Sequence, residues 1–145
     1  MSVSRLFVLT IILGFVGALF GCDEPRFQSE AAYTENRSRQ LTITSQTLDQ
    51  LRQHGVTDES QISVEFFFHT DTLEKASRLA GKLMGLGYTS GGGHSAKDKN
   101  QVVVTGRTPP MKMDDNTMLD WTRRMCDLGH QLDCEFAGWG ANPKQ

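Results

Sequence analysis

From residue 41 onward, apolar and polar positions recur with two different periods, and the switches between them outline the elements. Ser45 to His54 sets Leu48 and Leu51 on one helical face and stops at Gly55, which predicts a short helix. Gln61 to His69 alternates as a strand: Ile62, Val64, Phe66 and Phe68 share one face, and Phe67 lies on the other between Glu65 and His69. Asp71 or Thr72 caps a helix that runs to about Leu86, with Leu73, Ala76, Ala80, Leu83 and Met84 as its inward stripe, and Gly87 ends it. Tyr88 to Gly92 is a weak strand. Gly91-Gly92-Gly93-His94 reads as a mobile hairpin before a strong strand, Gln101 to Arg107, built on Val102, Val103 and Val104. Pro109-Pro110 breaks the chain. Asp114 or Asp115 starts a helix through Met118, Leu119, Trp121, Met125 and Leu128, with Gly129 as its stop, and Leu132 to Ala137 is the last strand.

The order is a helix followed by β-α-β-β-α-β. This predicts an α+β fold, a ferredoxin-like β-α-β-β-α-β two-layer sandwich with an extra N-terminal helix. In that topology the Phe-rich and Val-rich strands lie centrally. The glycine-rich and acidic strands fall at the edges, where weak or charged strands are tolerated.

The first 22 residues follow a different pattern. Arg5 is the one charge there, and it precedes an uncharged, mostly apolar stretch from Leu6 to Phe20. As a helix these residues would span about 22 Å, short of a bilayer core of roughly 30 Å. A positive start, a short apolar core and small residues at a boundary make a secretory signal peptide. The boundary Leu19-Phe20-Gly21-Cys22 resembles a bacterial lipobox, with Phe20 as the departure. The resemblance implies acylation of Cys22 and a stable membrane anchor. Asp23 directly after it resembles the signal that retains a lipoprotein at the inner membrane, on the periplasmic face. The expected organisation is therefore a signal peptide over 1–21, a lipidated Cys22 with a flexible tether over 22–40, and one domain over 41–145. Eighteen residues of random coil, 23–40, would span roughly 23 Å.

Several segments of the domain resemble the regulator of ribonuclease E activity B family, a ribonuclease E inhibitor domain. They are Val64-Glu65-Phe66-Phe67-Phe68, the run Ala76…Leu79-Ala80…Leu83…Leu86-Gly87-Tyr88, the strand Val102-Val103-Val104-Thr105-Gly106-Arg107-Thr108, and the ending Glu135-Phe136-Ala137-Gly138-Trp139-Gly140. Their order and spacing cover residues 41–140. The resemblance implies a non-enzymatic protein that inhibits a ribonuclease by binding it. The family's inhibitors are cytoplasmic and markedly acidic, whereas this chain carries an export signal, and Ala137 stands where an acidic residue is usual.

Composition narrows the classes further. With 15 Lys+Arg against 17 Asp+Glu the net charge is −2, which excludes a strongly basic nucleic-acid binder. Three cysteines exclude a disulfide-scaffold fold. Cys126, His130 and Cys134 have a C-x₃-H-x₃-C spacing. A disulfide between Cys126 and Cys134 is the favoured reading after export, with two buried thiols or a metal site lacking a clear fourth ligand as alternatives. Gly91-Gly92-Gly93 with Lys97 and Lys99 lacks the spacing of a phosphate loop. No triad or paired carboxylates follow from spacing, and no cofactor or small-molecule substrate is expected. The helices of a sandwich cover one sheet face only, so Phe67 falls on the open one unless the extra helix folds across it through Leu48 and Leu51. The covering helix is slightly favoured. Phe67 and Trp139, the latter between two glycines beyond the last helix, are the candidate partner-binding residues, with Cys22 the lipidation site. The expected partners are a membrane, through the anchor, and a protein. A small periplasmic enzyme or metal-binding domain, or a structural envelope lipoprotein, is the alternative.

Overall fold

A computed structural model describes residues 25–145. The expected signal peptide, Cys22 and Asp23 lie outside the described residues. The elements are α1 (Glu30–Gln53), β1 (Gln61–Ile62), β2 (Val64–Thr70), α2 (Leu73–Gly85), β3 (Thr89–His94), β4 (Val102–Arg107), β5 (Met111–Lys112), α3 (Asp115–Gln131) and β6 (Glu135–Ala141). The main sheet is antiparallel in the order β3-β4-β2-β6, with β1 and β5 forming a separate two-residue ladder. The four long strands and the two helices between them therefore follow the expected β-α-β-β-α-β order, with the Phe-rich and Val-rich strands at the centre.

The core lies between this sheet and its helices. Val64, Phe66 and Phe68 of β2 are fully buried beside Val102 and Val104 of β4, and Leu79, Leu83, Met118 and Trp121 close over them from α2 and α3. Phe68 meets Phe136 edge-on at 5.1 Å between centroids, and Trp121 meets Phe136 at 5.9 Å, geometries that suit the ring quadrupoles.

All three helices stop in the same way. At each end the residue after the C-cap donates to the carbonyl three residues back, and the next residue donates to the carbonyl five back. These pairs are Gly55 to Arg52 with Val56 to Leu51, Gly87 to Met84 with Tyr88 to Leu83, and Asp133 to His130 with Cys134 to Gly129. The pattern satisfies otherwise orphaned carbonyls and requires a left-handed residue in its middle. Gly55 and Gly87 take that conformation without cost, whereas the third site uses Asp133, at φ 56°. Gly129 is therefore not the stop expected from the sequence. It sits inside α3, where a Cβ would lie 2.6 Å from the Cys134 carbonyl oxygen and 2.9 Å from the Phe68 ring. Its role is to let helix and strand approach closely.

Two further expectations are revised. Gly91, Gly92 and Gly93 lie within β3, paired to Thr105, Val104 and Val103, so the turn to β4 comes after His94. Residues 30–40, expected in a tether, form the first three turns of a 24-residue helix about 36 Å long. The missed half of α1 buries Asn36, Gln40 and Thr44 rather than apolar residues. Asn36 donates to the Phe136 carbonyl at 2.9 Å, and Thr44 shares a 2.8 Å hydrogen bond with Thr122. Buried polar groups hold their place when paired this way. The helix is also secured at its start. Ser29 caps it, and the Asp133 carboxylate accepts from the backbone N–H groups of Phe27 and Gln28.

Candidate functional site

The face of the main sheet turned away from the helices is uncovered. Helix α1 does not cross it, contrary to the slightly favoured expectation; α1 packs on α3 and on β6. The centre of the open face is Phe67, 37% exposed between the completely buried Phe66 and Phe68. Register places Phe67 opposite Thr105 on β4 and Gly138 on β6, and Thr105 opposite Gly91 on β3. Small residues therefore flank the ring. On one side of Phe67 the next row pairs Glu65 with Arg107, whose guanidinium reaches the carboxylate at 2.6 Å, and on the other side His69 pairs with Val103. A shallow groove runs from Phe67 past Glu65 and Arg107 to Ser63, Asn142 and Gln145.

Phe67 and Trp139 are not brought together. A bulge in β6 between its pairings to Phe67 and Phe68 lets the chain turn at Gly138, φ 128°, and register sets Trp139 opposite Phe66, on the helix side. There Trp139 is half-buried, stacks edge-on against Trp121 at 6.4 Å, and donates its indole N–H to Thr44 at 2.9 Å. The bare surroundings expected for it are filled by the part of α1 that the apolar pattern did not reveal.

Cys126 and Cys134 are buried free thiols rather than the expected disulfide. Burial pushes the Cys126 thiol up to about 12 and the Cys134 thiol up to about 11, so neither is a ready nucleophile. His130 does not join them. It stacks on Tyr33 at 4.0 Å and its Nε2 lies 2.7 Å from Glu30. Among the described residues no three His, Cys, Asp or Glu side chains gather as a metal would require.

Around His130 lies a charged seam that joins the start of α1 to the end of α3. Arg37 and Tyr33 both donate to Asp127, and Arg26 reaches Asp133. Asp133 is the hub. Burial works to raise its pKa, but the Lys75 ammonium at 2.7 Å and the two backbone donors outweigh it and hold the carboxyl at about 2. The nearest sequence signal for the missed half of α1 is spacing. Asn36, Gln40 and Thr44 continue the Leu48–Leu51 stripe backward at intervals of four, but as polar residues they register as solvent-facing.

Fold and site together define a small α+β sandwich whose sheet presents an uncovered face with one exposed aromatic ring. The sequence model of the family described as Regulator of ribonuclease activity B matches residues 42–141, and the chain belongs to that family. No individual curated protein matches the chain. Among the described residues, no helix is long and apolar enough to cross a membrane.

Proposed function

We propose that this protein is a non-enzymatic regulator that binds a protein client through the open sheet face, as the ribonuclease regulators of its family bind theirs, and that a lipid on Cys22 holds it at the periplasmic face of a membrane, where that client must also be exposed. The observation that carries the binding reading is Phe67, a large ring left in water at the centre of an uncovered sheet in a family of ribonuclease regulators. Burying such a ring gains about 1.5–3 kcal/mol, the scale of an interface anchor. The flanking glycines and Thr105 leave the ring accessible, and the Glu65–Arg107 pair supplies a polar rim. RNA stacking on a sheet of this kind would call for more than one aromatic over a basic surface. Here the face offers Phe67 beside a cation that Glu65 already neutralises.

The anchor would act over a short leash. Arg26 is joined to Asp133, which leaves four residue steps from Cys22, at most about 14 Å of extended chain. A lipid on Cys22 would therefore keep the domain close to the bilayer, and the client would have to be reached on the same side of the membrane.

Two measurements test the proposal. Detergent partitioning and intact mass should show a diacylated or triacylated mature N-terminus that Cys22→Ser abolishes. A soluble mature form with an unmodified Cys22 rejects the anchor. Affinity capture from membranes with the Cys22-anchored chain should retain a protein client, and Phe67→Ala should weaken that binding by roughly thirtyfold or more without loss of fold. Binding that is absent, or unchanged in Phe67→Ala, rejects the client or the face.

A further inference from the structure

On the opposite side of the molecule, the furrow between α2 and α3 opens into an apolar groove. Trp121 and Met125 lie buried along it, with Leu86, Tyr88, Leu128 and Arg124 as the remaining lining. Leu86 is 60% exposed, the most exposed of the large hydrophobic residues described. Each polar side chain lining the groove can donate a hydrogen bond. The Tyr88 hydroxyl accepts the Trp121 indole N–H at 3.2 Å, and a phenol that accepts one hydrogen bond still has its own proton to give. Arg124 is exposed and, among the described residues, has no carboxylate within ion-pair distance, whereas its neighbour Arg123 is paired with Asp120 at 2.7 Å. Arg124 thus sets one unpaired positive charge beside exposed apolar surface.

The geometry points to a second docking site here, for a peptide segment that carries an apolar side chain next to a carboxylate. The apolar side chain would cover Leu86, Leu128 and the edges of Trp121 and Met125. The carboxylate would take up the unused donors of Arg124 and Tyr88, a charge-assisted contact that suits the planar guanidinium. A basic segment would meet Arg124 with a like charge, and a wholly apolar one would displace its water without replacing the acceptors. The site is separate from the sheet face, and its occupation does not depend on Phe67.

Selection of displayed random 12-residue peptides on the full-length chain in nanodiscs, with empty nanodiscs for subtraction, tests this. The enriched peptides should place Leu, Met or Phe beside Asp or Glu. Arg124→Glu and Leu86→Ser, both at exposed positions, should keep the wild-type circular dichroism and melting curve. Each should weaken the selected peptides at least tenfold, while Phe67→Ala leaves them unchanged. The proposal is overturned if no peptide is enriched, if the enriched peptides lack acidic residues, or if binding survives Arg124→Glu. Loss of binding in Phe67→Ala also overturns it, because that result assigns the peptides to the sheet face.

Discussion

Phe66, Phe67 and Phe68 are identical side chains in one strand, and the two faces of the sheet give them opposite roles. Phe66 and Phe68 point to the helix side, where neighbouring rings and aliphatic chains surround them completely; Phe67 points to the side that no element covers. The strand's period of two decides which ring goes where. What each ring then does depends on what the rest of the chain brings to its face. The helix face is closed by α2, α3 and the flanking α1, and it works as core. The open face retains an apolar surface that the fold itself does not use, the property expected of an interaction site.

Substitutions along this contrast should have graded effects. Phe68→Ala removes a fully buried ring at the junction of Phe66, Phe136 and Gly129. It should cost about 3–5 kcal/mol in urea unfolding; a loss below about 1 kcal/mol would mean that the helix face is not close-packed there. Trp139→Ala should come next, at about 2–3 kcal/mol, because it removes a half-buried ring and the hydrogen bond to Thr44. If Trp139→Ala instead lowers client binding while leaving the melting curve intact, Trp139 belongs with Phe67 and not with the core.

The third test concerns the seam beside the helix face. Asp133, 16% exposed, is held at about 2, below the ordinary carboxylate range. A depressed folded-state pKa contributes stability above the unfolded value near 4, and that stability is lost as pH falls toward about 2. Asp133→Asn tolerates the same left-handed backbone, so it should cost about 2 kcal/mol at neutral pH. The difference from wild type should close between about pH 4 and pH 2. A constant difference across that range would show that the carboxylate charge is not what joins α1 to α3. The smallest stability effect should be that of Phe67→Ala, within about 1 kcal/mol, in the same variant that loses client binding. A large drop in its melting temperature would move Phe67 into the core and remove the support for the open face.

The elements that were legible in the sequence are those in which apolar periodicity and local stop signals agree. The alternation in β2 and the valine run of β4 carry the burial of their own side chains, so the order of strands and helices, and with it the α+β sandwich, follows from the pattern. The exposure of Phe67 was half legible. Its placement on the face opposite Phe66 and Phe68 follows from alternation, but whether α1 would cover that face does not.

The tertiary structure decided the rest, and each case has the same physical reason: the partner belongs to another element. Asn36 and Thr44 look like surface residues until Phe136, Thr122 and Trp139 arrive to pair with them, which is why the first half of α1 reads as a tether. Gly129 has the local appearance of a helix stop, and only the approach of Phe68 and of the Cys134 carbonyl gives it a place inside α3. Trp139 lies between two glycines in the sequence, yet a bulge in β6 turns it toward Trp121. Local periodicity reports which face a residue takes. Whether that face meets water, a helix or a hydrogen-bonding partner is settled by residues on other elements, as far as a hundred positions away.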